Sequence, residues 1–168
     1  MVRPVLTDAS PLIALSKIDA LGWLGPLFGV VWMPPKVRRE VLTGHDLPGE
    51  RAIRAALRAG HASEWKRAAA KIVADPLPDL DEGEAACIRI TLARAARGDT
   101  ALLLMDERAG RAVARERGLR VAGTAALIGM AKKRGLIASA RDAFARLHDT
   151  DFRISPQVIR TVLARVGE

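Results

Sequence analysis

The chain has no tyrosine, few other aromatics and a single cysteine, Cys87. One cysteine excludes an intrachain disulfide and a cysteine zinc cluster, and fits a reducing compartment. Its neighbours Ala85, Ala86, Ile88 and Ile90 are apolar, which predicts a buried thiol rather than a nucleophile. With aromatics at only 4%, a sheet-surface platform for stacking bases is not expected, and any nucleic acid would be held by charge, shape and polar contacts. His45, His61 and His148 lack metal-ligand spacing. No run approaches the length of a membrane span, and the opening Met-Val-Arg-Pro-Val-Leu-Thr-Asp has no long apolar segment. The expectation is a cytoplasmic protein with no membrane partner.

What is abundant is positive charge. Lys and Arg number 27 against 19 Asp and Glu, a net charge of +8, which favours a polyanionic partner. At 168 residues and 49% apolar content the chain can bury a core without staples.

Short apolar runs alternate with helical patterns, which predicts an α/β fold with a mostly parallel sheet of four to five strands covered on both faces. Strands are expected at Val2–Thr7, Gly29–Met33, Ala101–Met105 and Leu119–Ala122. Ser10 before Pro11 reads as the cap of the first helix, which runs toward Ala20, with a short helical piece around Leu21–Leu27. Further helices are expected over Pro35–Leu42, Pro48–Ala59, Asp81 to about Arg97, Asp106–Arg117, Ala125–Arg134, Ser139–His148 and Pro156–Val166. The Glu64–Ala74 run reads equally as helix or strand, and Pro76 and Pro78 mark a loop.

Four acids stand at suggestive places in this basic chain: Asp8 and Asp106 after strands, Glu40 on a helix, and Glu84 opening another. Ligands of parallel sheets bind beyond the carboxyl ends of the strands, so Asp8 and Asp106 can share a crevice. Carboxylate oxygens there suit Mg²⁺ or Mn²⁺. Each acid also has an ordinary explanation. Asp8 can be a turn or capping residue, Asp106 can cap the helix after it, Asp81-Glu82-Gly83-Glu84 spells a capping box, and Glu40 can pair with Lys36 one turn away. Arg108, Arg111 and Arg115 form a stripe that suits a phosphate backbone or simply a solvated face. Haloacid-dehalogenase phosphatases need Asp-x-Asp after the first strand, where this chain has Asp8-Ala9-Ser10, and no phosphate loop or dinucleotide turn follows a strand.

The run Leu6-Thr7-Asp8-Ala9-Ser10-Pro11-Leu12-Ile13 resembles the opening of PIN-domain proteins, and Pro34–Val41, Leu80–Ile88, Leu102–Ala114 and Gly118–Thr124 resemble later segments of that family in the same order. The resemblance implies a three-layer α/β/α sandwich, with the nuclease domain over 1–135, and metal-dependent ribonuclease activity; the helical extension over 136–168 exceeds the family's minimal domain and is expected to pack on the same domain. In many members it also implies the toxin role of a VapBC-type pair, with RNA as substrate, an antitoxin as partner and a homodimer as assembly. By residue it implies catalytic roles for Asp8, Glu40, Glu84 and Asp106, with Asp8, Glu84 and Asp106 as metal ligands and Ser10, Glu107 and Thr124 in support. Many PIN nucleases carry another acid two residues beyond the fourth. Here that residue is Arg108, which leaves a second metal open and favours, as the alternative, a PIN-like module that binds RNA or protein without cutting.

Overall fold

The computed structural model describes residues 3–67, 77 and 80–168. Strands β1 (Val5–Thr7), β2 (Val31–Met33), β3 (Ala62–Glu64), β4 (Leu102–Leu104) and β5 (Arg120–Ala122) form one parallel sheet in the order β3-β2-β1-β4-β5. The sheet has the expected number of strands and is parallel throughout. Its members are each three residues long, and the four that apolar runs announced are shorter than those runs.

Helices α1 (Ala9–Lys17), α2 (Leu24–Phe28), α3 (Pro35–Val41), α4 (Pro48–Arg58), α5 (Glu82–Ala95), α6 (Arg108–Glu116), α7 (Thr124–Lys133), α8 (Ala140–His148) and α9 (Pro156–Val166) make up the described helical layers, with a 3₁₀ turn at Leu21–Trp23. Right-handed crossovers send the β1-to-β2 and β3-to-β4 connections to opposite faces. Accordingly α1 packs with α4 and α7 while α5 packs with α6, giving the α/β/α sandwich. Leu6, Met33, Leu103, Leu104, Ile88 and Ile128 are fully enclosed between the layers.

The helices α8 and α9 pack on α7. Phe144 and Leu147 of α8 and Leu163 of α9 join the same core cluster as the sheet residues. A Cβ on Gly129 of α7 would lie 2.9 Å from Val162 Cγ1, so α7 and α9 meet closely. The Glu168 carboxylate accepts from Ser139 Oγ and from the Ala140 and Arg141 N–H groups, capping α8. These bonds hold its pKa down to about 2.

Several local expectations change. The first helix starts at Ala9 and has Asp8, not Ser10, at its N-cap position. It ends at Lys17, short of Ala20, because Asp19 takes a positive φ of 55°. The edge strand β3 ends at Glu64, where the run that read ambiguously begins, and residues 68–74 of that run, with Pro76 and Pro78, lie outside the described residues. Cys87 is buried as expected; its thiol donates to the Thr7 carbonyl, and burial pushes its pKa up.

Candidate active site

The strand order turns between β1 and β4. Sequential strands run outward to one side through β2 and β3 and to the other through β5, which makes the carboxyl ends of β1 and β4 the switch point where such sheets open a crevice. Thr7 pairs with Leu104 in register, and the Asp8 N–H donates to the Leu104 carbonyl at 2.9 Å. Asp8 and Asp106 therefore leave adjacent strands side by side at that point.

Asp8 is 4% exposed, and its Oδ1 is buried with no hydrogen-bond partner. Burial pushes its pKa up to about 7, against a smaller opposing effect of the Ala9 N–H, and the charges of Asp81, Glu40 and Glu84 push it further in the same direction. Ser10 Oγ, in the first turn of α1, is likewise buried without a partner.

Glu84 is buried near the start of α5 and has two jobs. Its Oε2 accepts from the Asp81 N–H at 3.2 Å while Asp81 Oδ1 accepts from the Glu84 N–H at 2.8 Å, a complete capping box. Its Oε1 turns toward Gly110 of α6, where an added Cβ would stand 3.1 Å away. Burial raises its pKa, opposed by the Asp81 backbone bond, and the charges of Asp81, Glu107 and Glu40 raise it further.

Glu40 is exposed at the mouth. It does not pair with Lys36, whose ammonium instead meets Glu82 on α5. The i,i+4 pair that the sequence allowed gives way to a bridge between α3 and α5, and Glu40 lies within electrostatic reach of Asp81. Burial and the charge of Asp81 raise the pKa of Glu40. Gly83 makes this approach possible, because a Cβ there would lie 3.3 Å from both Asp81 Oδ1 and Glu40 Oε2.

Asp106 does not cap α6. Glu107 holds the N-cap position without a side-chain bond, and both Asp106 oxygens bond to Thr124: Oδ1 accepts from its N–H at 2.7 Å and Oδ2 from its hydroxyl at 2.6 Å. Burial raises the Asp106 pKa against these bonds and against the charge of Arg111. Gly123 gives Arg111 and Asp106 room, since a Cβ there would fall 2.5 Å from Arg111 Nη1 and 2.8 Å from Asp106 Oδ1.

Thus Asp8, Glu40 and Glu84 lie near enough to act on one another's charge, together with Asp81, which sequence reasoning assigned to capping alone. Asp106 stands beside them with Thr124 and Arg111, and the exposed Glu107 acts electrostatically on both Glu84 and Asp106. Arg108 and Arg115 lie exposed on α6. Gly83, Gly110 and Gly123 also belong to the site, as the places where a side chain would displace an acid. Their only signal in the sequence is position beside the acids.

The donor set is oxygen throughout, and mutual repulsion with a buried, unpartnered carboxylate oxygen is what a hard cation would relieve. Among the described residues no three such side chains already stand in ligating geometry. The donors fit a divalent cation in chemistry, and Asp8 Oδ1 is a buried carboxylate oxygen with no hydrogen-bond partner.

Thr124 is fully buried, so Thr124→Val should leave Asp106 Oδ2 unpaired and cost about 1–3 kcal/mol. Urea unfolding checks this, and a loss below about 0.5 kcal/mol would mean that the bond contributes nothing net.

Searches of the curated proteins and of the solved structures gave no match. The family described as DUF3368, PIN domain, matches residues 4–168, running through the sheet, the four acids and both C-terminal helices. PIN domains are generally nucleases and usually use divalent metals; the chain belongs to this PIN-domain family.

Proposed function

We propose that this chain is a metal-dependent endoribonuclease. The observation that carries the proposal is the Asp8 carboxylate, buried and unpartnered at the switch point and surrounded by the charges of Asp81, Glu40 and Glu84. A buried carboxylate facing like charges destabilises a fold and has a use where a cation is bound.

Asp8, Glu84 and Asp106 would hold Mg²⁺ or Mn²⁺. When bound, the cation acidifies water and stabilises charge developing on phosphate. Glu40 at the mouth has a raised pKa, which strengthens it as the base for a proton of attacking water. Thr124 fixes the Asp106 carboxylate through both oxygens. Arg111, half-buried next to Asp106, would bind a phosphate oxygen, with Arg108 and Arg115 on the same helix for the backbone beyond.

The test uses chelator-treated protein with and without Mg²⁺ or Mn²⁺ on single-stranded and hairpin RNAs, with matched DNAs. RNA cleavage that needs the metal and disappears in Asp8→Asn is expected. No metal-stimulated cleavage, or an Asp8→Asn protein as active as its parent, rejects the proposal. Arg108, standing where many PIN nucleases have an acid, favours the second reading of a module that binds RNA without cutting, and intact RNA in a stable complex would establish it. A homodimer and an antitoxin partner extend the proposal from the family, and the mass of the protein in solution checks the first.

A further inference from the structure

On the far side of Arg111 from the acids lies a cavity of about 640 Å³ between β5, α7 and α9, lined by Arg111, Arg115, Arg120 and Arg165. A second cavity of about 700 Å³, at the amino ends of the strands, is lined by Arg120, Lys133 and Arg134 among others. The two share Leu102, Arg120 and Met130, so they form one trough along the β5 edge of the sheet. No carboxylate lines either part. Arg115, Arg120, Arg165, Lys133 and Arg134 are exposed, and none enters an ion pair among the described residues. Lys133 and Arg134 also suit the negative end of α7, but Arg115, Arg120 and Arg165 come from three other elements, so helix polarity does not account for the convergence.

We propose that this trough is the track for the phosphate backbone of a single RNA strand whose scissile bond lies in the acidic crevice. The inference rests on the nuclease reading and extends it: the C-terminal helix α9, through Arg165, becomes part of the substrate site, and the strand runs from the carboxyl ends of the sheet to its amino ends. The charge is complementary to phosphate, and the trough reaches the crevice at Gly123 and Arg111, which adjoin Asp106. No aromatic side chain lines the part between α6 and α9, so the backbone is held there and the bases are not stacked.

The test is the anisotropy of a short fluorescein-labelled uridine oligonucleotide with the full chain in chelator, over a series of KCl concentrations. Chelator prevents metal-dependent cleavage, so the outcome is independent of whether the protein cuts. Arg120→Gln, Arg165→Gln and Lys133→Gln should each weaken binding about fivefold near 0.1 M salt and reduce the slope of log affinity against log salt by about 0.7. Arg51→Gln, an exposed arginine on α4 outside the trough, should change neither, and unchanged melting temperatures would show that the variants fold. Equal losses in Arg51→Gln and the trough variants would overturn the track in favour of diffuse charge. So would unchanged RNA binding alongside lost binding of a polyglutamate peptide, which would assign the trough to an acidic protein segment. Cleavage by the parent with no effect of the three substitutions would reject the track and leave the nuclease reading standing, whereas weakened binding without any cleavage would do the reverse.

Discussion

In chelator at about pH 8, Asp8→Asn should melt about 6–12 °C above the parent protein while losing metal-dependent cleavage. Asp8 is 4% exposed with an unpartnered oxygen, and burial with three like charges pushes its pKa from 3.8 up to about 7. The folded state therefore holds the Asp8 proton more tightly than the unfolded chain. Stability linked to this group is fully present below about pH 4 and is lost as pH rises to about 7. Raising the pKa from 3.8 to about 7 corresponds to about 4 kcal/mol, which solvent screening of a group not wholly enclosed reduces to about 3 kcal/mol. Asparagine keeps the shape without the charge and also lightens the repulsion on Glu84 and Glu40. The difference between the two proteins should nearly vanish by about pH 3, where aspartic acid is mostly neutral in both states. Mg²⁺ or Mn²⁺ should narrow it at pH 8 by stabilising only the parent. An Asp8→Asn protein melting at or below its parent at pH 8 would mean that Asp8 is not strained in the fold.

The acids at the ends of β1 and β4 were legible because a parallel sheet constrains where its ligands bind, and Ala101–Met105 reads as the clearest core strand in the chain. The edge strand β3 was not. Ala62-Ser63-Glu64 has no β-branched residue, and its extended form follows from pairing with Val31–Met33 and from the Trp65 N–H bond to the Met33 carbonyl. Propensity is a weak guide where a neighbouring strand supplies the bonds. At Glu84 the capping box and a place in the acidic cluster looked like alternatives, and the structure holds both because the two carboxylate oxygens face different ways. Asp81 escaped notice for the same reason, since one sufficient role concealed another. The pairing of Lys36 with Glu82 and of Asp106 with Thr124 depends on contacts between distant elements, beyond the reach of i,i+4 reasoning.

Phe144→Ala should cost about 3–5 kcal/mol and lower the melting temperature by about 6–20 °C in a single transition. Phe144 lies in α8, beyond residue 135, where the sequence suggested an appended helical extension. It is 2% exposed, and Ala140, Ala143 and Leu147 on the same helix are buried with it. Truncating a ring in a core this closed removes apolar burial and leaves a void that the neighbours fill only in part. Because α8 and α9 share the sheet's hydrophobic cluster through α7, the loss should appear equally in circular dichroism and in tryptophan fluorescence from Trp23, Trp32 and Trp65, all in the sheet half of the chain. Coincident transitions would establish residues 136–168 as part of one cooperative unit. A two-step melt, in which tryptophan fluorescence keeps its original midpoint, would make the extension separable. The distinction reaches the substrate: if α9 unfolds apart from the sheet, Arg165 cannot hold its place in the trough, and Phe144→Ala should weaken RNA binding at temperatures where the acidic crevice is still intact.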